Sequence, residues 1–384
     1  MLAGCARGIA VPEPPPPISA PEPQGQPAPL SDPAPRVEGI LHQEPGPVRK
    51  DEILLSTVAR DPEFQREVAR WVEYWRTRGG RWFPEYLDRM AWFEEAVDST
   101  LARRGLPASL RYLPIIESGY SPRAVSRARA VGLWQFMEPT AKGFGMGVSP
   151  LLDERRNPFK STEAAADFLL QLRGQFGSWF LALAAYNSGP YRVQRLLDLH
   201  APLVPRSDSL LWALRRYLPR ETREYIPKFF AAALVARDPE AYGFEAPTDT
   251  LAFAFDEVVV PDATTLDVVA DAAGTTLEEI ERLNPEVVRG ITPPGRETLM
   301  RVPAGQGWQF RDRYALIPPE ERVTFVEHQV VAGETLSHIA HRYGVPLGDL
   351  EAANPGVRPK ALQIGQRLTV PVSPRSRSGG RAGN

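Results

Sequence analysis

A chain of 384 residues with 43% hydrophobic and 24% charged side chains has the composition of ordinary folded domains and the length for two or three of them. A formal net charge of −2 offers no field to a polyanion, and no basic stripe with interleaved aromatics stands out, so nucleic acid is not an expected partner. The single cysteine, Cys5, excludes intrachain disulfides and Cys-ligated zinc, and no apolar run reaches the roughly 18 residues of a membrane-spanning helix.

At the start of the chain Leu2-Ala3-Gly4-Cys5 resembles the lipobox of bacterial lipoprotein precursors, in which cleavage before the cysteine leaves its thiol to carry a lipid. A secretory leader needs a basic segment and about 7 to 15 apolar residues ahead of the cleavage point. The expectation is therefore a signal peptide beginning upstream of Met1, with lipidation at Cys5. Residues 6–50 are rich in proline, with Pro14, Pro15, Pro16 and Pro17 in a row, and residues 1–50 are expected to form an extended, disordered tether.

The pattern then turns helical. Phe64, Val68, Trp71, Val72 and Trp75 recur at three- and four-residue spacing, Gly79-Gly80 breaks the chain, and Tyr86, Met90, Phe93, Val97 and Leu101 resume the stripe. This predicts a helical hairpin over 51–104 whose aromatic face packs on the following domain. That domain, over 105–240, continues in helices. One is predicted over 107–117, with Pro114 inside it to bend the axis, and it closes on Glu117-Ser118-Gly119. Another is predicted over 163–172 with Ser161 or Thr162 as N-cap, and a third ends at Tyr186 with Gly189 left-handed after it.

After residue 252, Phe253, Phe255, Val258 and Val260 alternate as a strand, a helical stretch follows, and a second strand runs over 299–303. The layout recurs about seventy residues later. Thr265-Leu266 aligns with Thr335-Leu336, Gly274 with Gly344, Leu277 with Leu347, Asn284-Pro285 with Asn354-Pro355, and Val302-Pro303 with Val370-Pro371. Two copies of a βααβ unit are expected, over 250–305 and 326–373, ahead of a disordered tail at 374–384. The second copy, from Val330-Val331-Ala332-Gly333-Glu334-Thr335-Leu336 through Ile364-Gly365-Gln366-Arg367-Leu368, resembles the LysM module. That resemblance implies binding of N-acetylglucosamine-containing glycan, with Gly333, Glu334, Thr335, Asn354 and Pro355 as the candidate residues. The first copy has Asp262-Ala263-Thr264-Thr265 in place of the Gly-Glu-Thr turn and resembles a degenerate LysM unit.

Glu117-Ser118-Gly119, Gly132-Leu133-Trp134-Gln135, Ala185-Tyr186-Asn187-Ser188-Gly189 and Glu221-Thr222-Arg223-Glu224-Tyr225 stand in this order. Together they resemble the lysozyme-like domain of the bacterial lytic murein transglycosylases, and with the LysM units the chain is similar to the membrane-bound D type of that family. The implied fold is mainly α, a lysozyme-like helical catalytic domain followed by two small βααβ modules. The resemblance also implies Glu117 as the sole acid and base, Ser118 as its positioning neighbour, and Gln135 as an amide that contacts glycan. Tyr186 and Asn187 become an aromatic and amide pair beside the scissile bond, and Tyr225 a hydroxyl that approaches the carboxylate. Trp134 stands where many relatives carry methionine.

Glycoside cleavage ordinarily takes two carboxylates. A single acid suffices where N-acetylmuramic acid supplies the rest, its acetamide attacking the anomeric carbon and its C6 hydroxyl closing a 1,6-anhydro ring. Glu117 must then hold a proton near neutrality, lifted from about 4.3 towards 6 by apolar neighbours such as Leu113, Ile115, Ile116, Trp134 and Phe136. Glu221 and Glu224 remain candidates for a second group. A hydrolytic muramidase and a non-catalytic wall-binding scaffold are the competing functions. The five histidines, His42, His200, His328, His338 and His341, form no metal set, and neither metal nor cofactor is expected. Peptidoglycan strands are the expected partner, the membrane is reached only through a lipid, and the place is the periplasm, at the outer membrane.

Overall fold

A computed structural model of the chain describes residues 51–247, 253–354 and 356–371. Cys5, the Pro-rich segment, Pro355 and the expected tail lie outside the described residues. The chain divides into two units, one of residues up to 140 with 162–250, the other of 141–161 with 251 onward.

In the first unit α1 (Pro62–Arg76) starts where the Asp61 carboxylate accepts from the backbone N–H groups of Glu63 and Phe64, with Pro62 pre-set for the first turn. α2 (Phe83–Arg103) follows the Gly79-Gly80 break. A Cβ on Gly79 would lie 2.7 Å from the Trp75 ring, which is why the turn takes glycine there. Of the stripe read from the sequence, Phe64, Val68, Trp75, Met90, Phe93, Val97 and Leu101 are buried, while Trp71, Val72 and Tyr86 are half-buried.

The expected helix over 107–117 is two pieces, a 3-10 turn over Ala108–Tyr112 and then α3 (Leu113–Ser118). Pro114 falls in the first turn of α3, where its missing N–H has no helical acceptor to lose, so the expected mid-helix bend does not arise. Gly119, at φ 59° and ψ 37°, closes α3 by donating to the Ile115 carbonyl while Tyr120 donates to that of Pro114. Side chains have no room there: a Cβ on Gly119 would lie 2.3 Å from the Tyr86 ring.

α4 (Glu138–Gly143) and α5 (Pro158–Phe176) each cross the division between the units. The cap of α5 is Asn157, whose Oδ1 accepts from the N–H groups of Phe159 (3.1 Å) and Lys160 (3.0 Å). Ser161 and Thr162, expected as caps, are inside the helix. The proline at its first position moves the start upstream of where polar residues alone would put it.

α6 (Trp179–Ser188) is buried from Trp179 through Ala185, the central helix of this unit. Gly189 joins it to α7 (Pro190–His200) at φ 89° and ψ 140°. That is a glycine region but not the left-handed helical one, because the same residue must also open the next helix. α8 (Asp208–Leu214) and α9 (Arg220–Arg237) complete the unit. Phe64 of α1 meets Phe230 of α9 and Trp212 of α8 edge-on, with ring centroids 4.9 and 5.1 Å apart.

In the second unit the internal repeat is a structural repeat. β1 (Phe255–Val260) pairs antiparallel with β2 (Thr298–Pro303) around α10 (Leu266–Ala273) and α11 (Leu277–Leu283). β3 (Phe325–Gln329) pairs with β4 (Arg367–Pro371) around α13 (Leu336–Tyr343) and α14 (Leu347–Ala352), and α12 (Gly307–Ala315) lies between the copies. Asn284 is fully buried; its amide donates to the Ile280 and Arg301 carbonyls and accepts from the Arg301 N–H. Asn354 repeats this with Leu350 and Thr369, so each Asn-Pro step pins the end of a helix to its returning strand.

Two features of the first copy were not anticipated. α12 contributes Phe310 and Tyr314 to its core, and Leu152 joins from residues 141–161. Leu152 pairs with Val287, Asp153 N–H donates to the Glu286 carbonyl at 2.9 Å, and the Glu286 carboxylate receives Asn157 and Arg301 at 2.8 Å each.

Candidate active site

Glu117 occupies the last turn of α3, Tyr225 the second turn of α9, and Tyr186 the end of α6. The Tyr225 hydroxyl donates to Glu117 Oε1 in a short hydrogen bond. Tyr186 donates to the Trp134 carbonyl at 2.7 Å. Ser118 Oγ reaches the Leu133 carbonyl at 2.8 Å, tying the end of α3 to the turn that carries Gln135. Four segments distant in sequence are thus stitched around one carboxylate.

Burial pushes the Glu117 carboxyl up from an ordinary 4.5 to about 7, the Tyr225 hydrogen bond and the Lys228 ammonium pull it back, and the Glu221 charge adds to the rise. The side chain itself is half-buried, so it keeps an accessible edge while protein surrounds it. Burial also lifts both phenols, Tyr225 and Tyr186, well above their usual range, with the Glu117 charge acting in the same sense. Both therefore stay protonated and remain donors.

Gln135 sits at φ 49° in the turn bounded by the Val131 and Phe136 bridge, with its Nε2 donating to the Gly132 carbonyl at 2.8 Å. Trp134 is 1% exposed and its indole N–H donates to Thr162 Oγ1 at 2.9 Å, so its ring is core and its carbonyl alone faces the site, through Tyr186. Asn187 Nδ2 donates to Glu221 Oε1 at 3.4 Å. Burial raises the Glu221 carboxyl and the Asn187 hydrogen bond opposes the rise. Glu224, the other candidate second carboxylate, is held instead by Arg70 at 3.1 Å and Arg220 at 3.0 Å.

Lys228 was missed by the sequence reading, although its spacing of three from Tyr225 puts both on one face of α9. Its ammonium donates to the Ile116 carbonyl at 3.4 Å and lies 5.5 and 5.8 Å from the ring centroids of Trp71 and Trp75. Burial lowers its pKa while Glu117, Glu221 and Glu224 raise it.

The LysM candidates are placed differently from one another. Gly333, at φ 84°, is exposed at the turn. The Glu334 side chain is only 7% exposed, bonded to His328 at 2.8 Å and to Arg342 at 2.6 Å, and Thr335 caps α13 by accepting from the His338 N–H. With Asn354 bound to its strand, three of the five candidates have polar atoms committed to the module itself, and Pro355 lies outside the described residues. No group of three metal-ligating side chains occurs among the described residues.

Residues 97–201 match the Transglycosylase SLT domain, which contains Glu117, Gln135 and the Tyr186-Asn187 pair. That stretch of the chain is similar to the catalytic domain of the SLT type. Residues 254–319 match the LysM-like domain of lytic transglycosylase MltD, a span that takes in α12, and residues 328–371 match the LysM domain. Membrane-bound lytic murein transglycosylase D of Escherichia coli (strain K12) is 31% identical over 279 residues, 70% of this chain and 61% of that protein. The chain thus spans about three-fifths of that relative's length. Membrane-bound lytic murein transglycosylase C of Glaesserella parasuis serovar 5 is 35% identical over 98 residues, 22% of this chain and 26% of that one. A solved structure, an inactive mutant of the lytic transglycosylase Slt of Pseudomonas aeruginosa, is similar at 24% identity with a TM-score of 0.32, covering 41% of this chain and 25% of its own.

Proposed function

We propose that this protein is a peptidoglycan lytic transglycosylase that cleaves the β-1,4 bond between N-acetylmuramic acid and N-acetylglucosamine and leaves a 1,6-anhydro end. The observation that carries the reading is a carboxyl raised to about 7 and held by a phenol that stays protonated. Near neutrality Glu117 is divided between its acid and its conjugate base, the condition for a group that must first give a proton and then take one.

In the first half Glu117 protonates the leaving glycosidic oxygen while the acetamide oxygen of the muramyl residue attacks the anomeric carbon. The resulting carboxylate keeps the Tyr225 hydrogen bond and the nearby Lys228 charge, which favour the ion. In the second half it removes the C6 hydroxyl proton as that oxygen displaces the acetamide, and no water is consumed. Glu221, tied to Asn187, lies on the face of α9 that carries Tyr225, where it supports substrate positioning.

Peptidoglycan is the substrate supported by both the SLT and the LysM matches. The membrane-bound relatives support a place in the cell envelope, and the Leu2 to Cys5 tetrapeptide supports a lipid anchor in the periplasm. Mass analysis of soluble products from purified sacculi tests the chemistry. Muropeptides one water lighter than their reducing counterparts are expected; reducing ends alone would replace this reading with a hydrolytic muramidase.

A further inference from the structure

A second concentration of charge lies on α9, one helical turn from the residues just described. Arg220, Arg223 and Glu224 line a surface groove together with Arg70 of α1 and Arg215 and Arg216, which follow α8. Five arginines there meet three carboxylates, Glu63, Glu67 and Glu224, a surplus of two positive charges. The carboxylates are already taken: Arg70 holds Glu67 at 2.6 Å and Glu224 at 3.1 Å, Arg215 holds Glu63, and Arg220 shares Glu224.

Arg216 and Arg223 are exposed and pair with no carboxylate among the described residues; the former donates to the Tyr217 hydroxyl at 2.9 Å and lies 4.8 Å from the centroid of that ring. A guanidinium presents a planar fork of donors that matches a carboxylate and gains little from neutral sugar hydroxyls. The glycan backbone carries no charge apart from its substituents. The acidic part of peptidoglycan is the peptide on the lactyl group of N-acetylmuramic acid, with free carboxylates spaced along a short chain. Arg220, Arg223 and Glu224 lie within about 7.5 Å of rise from Glu221 and Tyr225, with Arg223 turned about 200° from Tyr225 around the helix; a peptide of several residues, at about 3.3 Å per extended residue, is long enough to run from a sugar at Glu117 round α9 to this groove.

Resting on the transglycosylase reading above, we propose that the groove between α1, α8 and α9 binds the carboxylates of the stem peptide, through Arg216 and Arg223, and so selects for peptide-bearing muramyl residues. Exposed Arg and carboxylate pairs are individually weak, so the effect of losing two of them is modest.

The test compares uncrosslinked glycan strands that keep their peptides with the same strands stripped by an amidase, using the full chain. For the Arg216→Ala, Arg223→Ala double variant kcat/KM is expected to fall about three- to twentyfold on peptide-bearing strands and to stay within about twofold on stripped strands. The Arg216→Lys, Arg223→Lys variant, which keeps the charge without the fork, is expected between the two. Equal losses on both substrates, or no loss on either, overturn the proposal while leaving the transglycosylase reading in place; a wild type inactive on both substrates defeats that reading instead. Unchanged cleavage with lost binding to phosphatidylglycerol vesicles would make the groove a membrane-surface site and sink the peptide assignment.

Discussion

Glu117 meets two opposed demands, and the packing around it shows how. A carboxyl surrounded by protein resists ionisation, whereas Tyr225 and Lys228 favour it, and the balance settles at about 7. Against an ordinary value of 4.5 the folded state holds the proton more tightly than the unfolded chain does. Its effect on stability is therefore absent below about pH 4.5, and stability falls as pH rises from there through about 7. Glu117→Gln removes the ionisation while its amide oxygen can still accept from Tyr225. The variant is expected to match wild type in thermal melts at pH 4 and to exceed it by about 1 to 3 kcal/mol at pH 8. Its lytic activity is expected to fall about 10²- to 10⁴-fold at every pH. Retained activity would remove Glu117 from the chemistry, and a stability gain at low pH instead of high would show that burial does not raise it.

At the level of elements, the two Asn-Pro steps separate a framework role from a binding role. Asn284 bonds three backbone groups in a fully buried setting, so Asn284→Ala takes this partner from the Arg301 N–H and carbonyl and one of two donors from the Ile280 carbonyl, and is expected to destabilise by about 2 to 4 kcal/mol. Asn354 makes the same bonds in a half-exposed setting, and Asn354→Ala is expected to lose about 1 to 2 kcal/mol. Loss of chitin-oligosaccharide binding with unchanged melting would return Asn354 to the ligand side. The periodicity of α1, α2 and the βααβ repeat was legible because each buries one face, and the ordered motifs marked as candidates Glu117, Ser118, Tyr186 and Tyr225, which the structure brings together. The start of α5 and the place of Pro114 were not, since Asn157-Pro158 outcompetes Ser161 and Thr162 only once the turn is built. α12 escaped because Phe310 and Tyr314, four apart, are too short a stripe to declare a helix. The docking of Leu152 and Asp153 on Val287 and Glu286 joins residues about 130 positions apart, and no local pattern announces such a pairing.

Under the proposed function, catalysis and capture fall to different stretches of one chain, and this separation has a kinetic consequence. A module that binds N-acetylglucosamine-containing strands holds substrate near the linked domain and raises its effective concentration without touching the reacting atoms. The LysM core of Leu336, Ile339, Leu350, Leu368 and Val370 closes on itself, and His328, Glu334 and Arg342 brace the turn that leads into α13. Deleting residues 328–371 is therefore expected to spare kcat on short soluble strands. Apparent affinity for sacculi in pull-down and turbidity assays should weaken about tenfold or more, because the second point of attachment is lost. A fall in kcat on the short strands would mean that the module supports the active site itself. An unchanged affinity for sacculi would mean that residues 97–201, with the charged groove on α9, already hold the wall without help.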